Sequence, residues 1–145
     1  MKNKWWLILV LAAAGVFLFF YRMYHDDIEA LRSFMTSYER YDKAFSDLSL
    51  GGGSELEGKA GSAAADLASK ASLRLSSLIK NDAGLMDQAL DVADLAQQEL
   101  EGLRAYKKAI QHENADVDEL AEASRILTGK RKAAYARFQE LGGVR

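Results

Sequence analysis

The sequence predicts an all-α protein: a single N-terminal transmembrane helix that continues into an antiparallel up-down-up-down four-helix bundle. Three observations support this fold class. An apolar run near the N-terminus is flanked by aromatic and basic residues. Apolar residues recur at steps of three and four through the remainder of the chain, which is the helical period. The 145 residues include no proline, so long helices can form without interruption.

The overall composition limits the possible functions. The formal net charge is −2, so the balance of charge gives no indication of a nucleic-acid partner. The chain has no cysteine, which excludes disulfides, thiolate zinc sites and covalent haem attachment. The length suits one domain outside the membrane. We therefore expect no cofactor and no nucleic-acid partner.

Residues 1–24 are predicted to form a short tail and a membrane anchor. The run "WWLILVLAAAGVFLFFY" has no charged side chain and approaches the ~20 residues that cross a bilayer as a helix. Aromatic rings at both ends suit the two membrane interfaces, and a basic side chain beside them can extend toward water. The anchoring residues are predicted to be Trp5, Trp6, Tyr21, Arg22 and Tyr24.

The alternative for this segment is a cleaved signal peptide, because "MKNK" is basic and Ala12 to Ala14 are small. Cleavage there would leave an exposed apolar tail, so an uncleaved anchor that retains Met1 is favoured. Lys2 and Lys4 compete with Arg22 and Arg32 in setting the orientation. Keeping the short basic tail inside places the larger part of the chain outside the cytoplasm, which is the periplasm if the cell is Gram-negative.

Residues 25–145 are predicted to form the bundle, with helices at about 25–50, 55–80, 83–112 and 117–141. The stripe of the first helix is Leu31, Phe34, Tyr38, Tyr41, Phe45 and Leu48. Three glycines end it, and Ser54 with Glu57 matches a capping box for the second helix. Asn81 or Asp82 can cap the third helix, Asp116 with Glu119 can cap the fourth, and Gly142-Gly143 can stop it. Short connections require neighbouring helices to be antiparallel.

The stretch "GGGSELEGKA" contains the start of a phosphate-binding loop, Gly53 followed by Gly58-Lys59. Such a loop needs a preceding strand and a Ser or Thr after the lysine. Here the preceding pattern is helical, two glutamates occupy the loop, and Ala60 follows. We therefore predict a turn between helices and no nucleotide.

Other candidate sites for chemistry are weak. His25 lies beside Asp26, Asp27 and Glu29 and could join a metal or quinone site, but a solvated residue at the membrane interface is the favoured interpretation. No paired Glu-x-x-His spacing for a di-iron bundle is present, and no catalytic constellation can be proposed. We expect no enzymatic activity, no catalytic residues and no metal.

Two charged clusters stand out in the second half of the chain. The third helix begins with acidic residues, and the last helix is basic. The two faces could pair with one another, or the basic face could contact anionic lipid or a neighbouring subunit as the helix descends toward the membrane. The candidate partner or lipid contacts are Arg125, Lys130, Arg131, Lys132 and Arg137.

The expected function is that of a single-pass accessory or scaffolding subunit, which docks on a membrane protein complex or on copies of itself. The alternative is an extracytoplasmic module that binds an apolar or lipid ligand between its aromatic first helix and its Ala-rich second helix. The two differ in the core, because a ligand module needs a cavity of a few hundred Å³. In layout the chain resembles the LemA family and the sensory bundles of chemoreceptors, but it carries none of their motifs.

Overall fold

The computed structural model describes residues 3–112 and 116–143, and within them it contains four α-helices and no strand. The helices are α1 (Asn3–Ser49), α2 (Ser54–Ala71), α3 (Asp82–Ile110) and α4 (Val117–Gly142). The all-α class is thus confirmed. Lys2, part of the predicted basic tail, lies outside the described residues.

Helix α1 has two parts that differ in their surroundings. Its N-terminal part is long and apolar enough to cross a membrane, and none of that stretch is buried against the other helices. Trp5 is 74% exposed and Phe17 is 70% exposed. From Leu31 onward the apolar face of the same unbroken helix is buried. One helix therefore carries both the exposed apolar segment and the first face of the core.

Contacts between neighbouring helices pair residues in opposite chain directions. From Phe34 to Tyr38 along α1, the aromatic ring contacted on α4 changes from Phe138 to Tyr135. Asp42, one turn further along α1, contacts Arg131 of α4. Helices α2 and α3 contact each other through Glu57, near the start of α2, and Arg104, in the last two turns of α3. The Glu57 carboxylate and the Arg104 guanidinium lie 2.9 Å apart.

The core places large side chains of α1 against small ones of α2 and α3. All six residues of the stripe predicted for α1 are buried. They face a set of small and medium residues on the other two helices: Ala60, Ala64, Leu67, Ala89, Val92 and Ala96. Large residues opposite small ones allow helices to approach closely while filling the space between them.

Helix α2 is shorter than the sequence predicts, ending at Ala71 instead of near residue 80. The difference is associated with a contact between residues distant in the sequence. Asp27 of α1 is buried, and its carboxylate accepts hydrogen bonds from the backbone N–H and the hydroxyl of Ser76. These bonds hold the chain in a non-helical path, because serine and aspartate can replace backbone helical bonds with side-chain ones. Leu73 packs into the core from this loop, whereas Leu78 of the same loop is 43% exposed.

The predicted helix caps have mixed outcomes. The capping box at Ser54 and Glu57 is wrong, because Gly53 is the N-cap residue and no side chain caps α2. Asp116 is confirmed as the cap of α4, since its carboxylate accepts from the backbone N–H of Glu119. Gly143 ends α4 with φ at 63°, a left-handed conformation that favours glycine.

Candidate functional site

A buried ion pair between α3 and α4 is the main polar feature of the core. Arg131 Nε lies 2.6 Å from Glu99 Oε2, with side chains that are 1% and 0% exposed. The two terminal nitrogens of Arg131 donate to the Tyr38 hydroxyl and to Asp42 Oδ1 on α1, each at 2.7 Å. The sequence predicts Arg131 to be among the contact residues on the surface of α4, and this prediction is wrong because Arg131 is buried. Its guanidinium instead joins three helices.

The Glu99 carboxylate is satisfied by further donors. The Tyr41 hydroxyl lies 2.9 Å from Glu99 Oε2 and 2.8 Å from the Ala96 carbonyl oxygen. The Thr128 hydroxyl donates to Glu99 Oε1. A buried carboxylate is tolerated only when it is paired and hydrogen-bonded, and both conditions hold here.

The electrostatics keep the arginine and the two tyrosines of this network in one protonation state near neutral pH. Burial acts to lower the pKa of Arg131, but the neighbouring Glu99 charge and the hydrogen bonds outweigh it and raise that pKa. Burial raises the pKa of Tyr38 to about 12 and raises the pKa of Tyr41 still further. The arginine therefore stays charged and the tyrosines stay neutral. The same hydrogen bonds between the helices are thus kept near neutral pH, and they hold the helices in one register.

Aromatic rings enclose the ion pair. The Arg131 guanidinium lies 5.2 Å from the Tyr38 ring centroid and 5.3 Å from that of Tyr41, within the range of a cation–π contact. Tyr135 stacks on Tyr38 with centroids 3.5 Å apart. The buried Tyr135 hydroxyl has no hydrogen-bond partner among the described residues. Helices α1 and α4 thus contact each other through the side chains around this guanidinium as well as through Phe34 and Phe138.

The other four predicted contact residues of α4 are exposed, but they do not share one face. Lys130 and Arg137 are seven positions apart and lie on one flank, as do Arg125 and Lys132 on another. At ~100° per residue the two flanks are separated by roughly 140°. Arg125 also pairs with Glu122 of its own helix at 2.7 Å. The unpaired basic charge of α4 is therefore concentrated at Lys130, Lys132 and Arg137.

The distance of these residues from the apolar segment, measured along α1, follows from the contacts between α4 and α1. Arg131 is level with Asp42, which lies ~27 Å along α1 from Tyr24 at 1.5 Å per residue. Phe138 packs on Phe34, ~15 Å from Tyr24. Exposed charges are screened over ~8 Å at physiological ionic strength. A bilayer surrounding the apolar part of α1 would thus be too distant for lipid contact at Lys130 and Lys132.

The acidic residues of α3 form an exposed ridge. Asp87, Asp94 and Glu101 are exposed and recur every seven residues, which keeps them on one face. Within residues 3–112 and 116–143, the ion pair that joins α3 to α4 is the buried one between Glu99 and Arg131. The exposed acids of α3 and the exposed bases of α4 thus do not neutralise each other through direct pairs.

The remaining candidates lie on exposed surfaces. His25, Asp26 and Glu29 have ligand atoms within 4.8 Å of one another, while Asp27 turns inward toward Ser76. An exposed cluster of this kind is common in proteins without a metal, so it defines no site by itself. The predicted anchoring residues are exposed at the two ends of the apolar stretch: Trp5, Trp6, Tyr21, Arg22 and Tyr24.

The glycine-rich stretch is a connection between helices. It leads from α1 into the first turns of α2, where Lys59 pairs with Glu55 at 2.8 Å. That lysine is therefore held on the surface of a helix and is not at the end of a strand. Comparison of the whole chain with protein-family models, curated proteins and solved structures finds no match.

Proposed function

We propose that the protein is a single-pass, membrane-anchored accessory or scaffolding subunit that docks on a membrane protein complex. Its α1 spans the membrane once, and the four helices form an up-down-up-down bundle outside the cytoplasm, in the periplasm if the cell is Gram-negative. Docking uses the span and the charged surface of the bundle. The observation that carries the proposal is a filled interior beneath a surface with unpaired charges of both signs.

The filled interior favours docking over a ligand held inside the bundle. The core of the bundle, where the alternative function would hold an apolar ligand, is occupied by side chains such as Phe34, Tyr41 and Leu67, each 0% exposed. Four grooves formed by the described residues open to solvent between neighbouring helices. A module that holds its ligand inside the bundle would need a cavity of a few hundred Å³ in the core, and buried side chains fill that space. Recognition therefore takes place on the outer surface.

The outer surface suits a polar interface with another protein. The α3 ridge from Asp87 to Glu101 extends ~21 Å, and Lys130 and Arg137 lie on the neighbouring helix. Apolar exposure on these helices is scattered, with Leu90 and Ile126 about half exposed. Complementary charge of this kind sets partner choice and orientation more than affinity. The partner is accordingly expected to present a matching charge pattern above the membrane.

The test is co-purification of the full chain and its variants from the membranes of the same cells in mild detergent. Lys130→Glu with Arg137→Glu reverses the exposed basic pair of α4 without touching the buried Arg131. Lys43→Glu with Arg74→Glu is the matched control, since it changes the same residue types at exposed positions elsewhere. Both double variants should keep the helical circular dichroism signal, because exposed substitutions usually cost within about 0.5 kcal/mol each.

We expect the α4 variant to recover several-fold less partner than wild type and the control to recover a normal amount. Wild-type recovery should also fall as salt rises. Equal recovery by wild type and the α4 variant would contradict docking through this surface. A complex composed only of copies of this chain would show that the partner is the protein itself and not a separate complex.

A further inference from the structure

A groove between α1 and α2 lies at the end of the bundle nearest the apolar segment. Its volume is about 790 Å³, and it is open on one side. Tyr21 and Tyr24 line its lower end, and Arg32 of α1 and Lys70 of α2 line its middle. The groove is thus continuous with the part of α1 that is long and apolar enough to enter a membrane.

The charges in the groove are unequally satisfied. Asp66 accepts a hydrogen bond from Ser37 at 2.6 Å and lies 3.7 Å from Arg40, so its charge is already compensated. Glu29 lies 4.0 Å from His25. Within the described ranges, no carboxylate lies within 4 Å of Arg32 or Lys70.

Two unpaired cations facing a groove with nearby hydroxyls form a suitable environment for an anion. Ser33 and Thr36 line the same groove and can donate hydrogen bonds to phosphate oxygens. Guanidinium and ammonium groups are the usual protein partners of phosphate, through charge-assisted hydrogen bonds. The chemistry of the groove therefore fits a phosphate group.

The position of the groove indicates where that phosphate comes from. Arg32 lies ~12 Å along α1 from Tyr24, and α-helical side chains tilt toward the helix N-terminus, which here is toward Tyr24. The headgroup layer extends roughly 5–7 Å beyond the hydrocarbon on each side of a bilayer, and tyrosine rings prefer that layer. Arg32 can thus approach the headgroups, unlike Lys130 and Lys132 on α4.

We propose that this groove binds the phosphate-bearing headgroup of an anionic membrane lipid. Arg32 and Lys70 hold the phosphate oxygens, and Tyr21 and Tyr24 contact the part of the lipid that enters the bilayer. The site is on α1 and α2, so it is separate from the α3 and α4 surface that docks on the partner. It requires the apolar segment of α1 but not the partner.

The experiment is native mass spectrometry of the purified full chain in mild detergent with equal amounts of phosphatidylglycerol and phosphatidylcholine. The variant is Arg32→Gln with Lys70→Gln. The matched control is Lys130→Gln with Arg137→Gln, which removes the same charges from α4. Circular dichroism shows that each variant remains helical, and Arg32→Lys tests whether charge alone maintains binding.

We expect wild type and the α4 control to retain one phosphatidylglycerol in preference to phosphatidylcholine. The groove variant should lose this preference by about 10- to 30-fold, as expected for two basic residues near a membrane surface. An equal loss in the α4 control would overturn the proposal, as would equal retention of the two lipids by wild type. Displacement of the lipid by millimolar inorganic phosphate, dependent on Arg32 and Lys70, would overturn the lipid assignment and indicate a soluble phosphate ligand. The α4 control should keep the lipid in this experiment and lose the partner in the co-purification experiment. The two proposals can therefore fail separately.

Discussion

Replacing Arg131 with methionine should destabilise the bundle strongly. The substitution leaves the Glu99 carboxylate fully buried and opposite only hydroxyl groups, and it removes donors from Tyr38 and Asp42. Removing one member of a buried ion pair typically costs about 3–5 kcal/mol, because the remaining charge is uncompensated. The loss arises from the unpaired carboxylate and not from lost volume, since methionine refills most of the space.

The second substitution, Glu99→Leu, should reverse much of this loss in the Arg131→Met background. Buried ion pairs can often be replaced by apolar residues of similar size at little cost. Three of the four groups released by the double substitution have other partners or access to water, and the Tyr38 hydroxyl is the one that loses its donor among the described residues. Tyr41 keeps the Ala96 carbonyl oxygen, Thr128 keeps the Ser124 carbonyl oxygen, and the 42%-exposed Asp42 side chain can be hydrated. We expect the double variant to regain at least about half of the stability lost by the single variant.

The assay is thermal unfolding of the full chain in mild detergent, followed by far-ultraviolet circular dichroism. For a domain of this size, 1 kcal/mol shifts Tm by roughly 4 °C, so Arg131→Met should lower Tm by about 10–20 °C. A shift below about 3 °C would refute the argument, because the ion pair would then contribute little. Strict additivity of the two single substitutions in the double variant would also refute it, because the two charges would not be coupled.

Three further predictions follow from the same core. Tyr41→Phe should cost about 1–3 kcal/mol of stability, because Glu99 loses a buried donor. Tyr135→Phe should be neutral or stabilising, because its hydroxyl has no partner among the described residues. Both variants are measured by the same thermal unfolding experiment. Burial raises the pKa of Tyr38 and of Tyr135 to about 12, so the folded state keeps two protons that the unfolded state releases above about pH 10. Stability should therefore be constant up to about pH 9.5 and fall between about pH 10 and pH 12. The absorbance of these two phenolates at 295 nm should appear at higher pH than that of the exposed tyrosines. Asp27→Ala should release the loop after α2 and make it several-fold more susceptible to limited proteolysis, while retention of wild-type resistance would mean that the bonds to Ser76 do not hold it.

The inward faces of the helices could be predicted from the sequence because periodicity depends only on local spacing. All six residues of the α1 stripe are buried, as predicted. The caps at Asp116 and Gly143 were predictable for the same reason, since each needs only its own neighbouring backbone. Local chemistry therefore accounts for most of the helical pattern.

The end of α2 and the buried ion pair depend on contacts between distant residues. Asp27 is separated from Ser76 by 49 positions, and no local pattern marks the two as partners. Arg131 keeps the apolar spacing between Leu127 and Ala134, so its inward position has a signal in the sequence. Its pairing with Glu99 has none, because the pairing depends on which helices are adjacent and on their register.

The central claim is that this bundle is a membrane-anchored docking subunit. The most direct test is native mass spectrometry of the full chain released from its own membranes in mild detergent. We predict a chain that retains its N-terminal apolar segment and is bound to another membrane protein in a defined stoichiometry, with the complex dissociating as salt is raised. A chain that lacks the apolar segment, or a solitary chain carrying a small apolar molecule that resists salt, would contradict the account and favour an exported ligand-binding module.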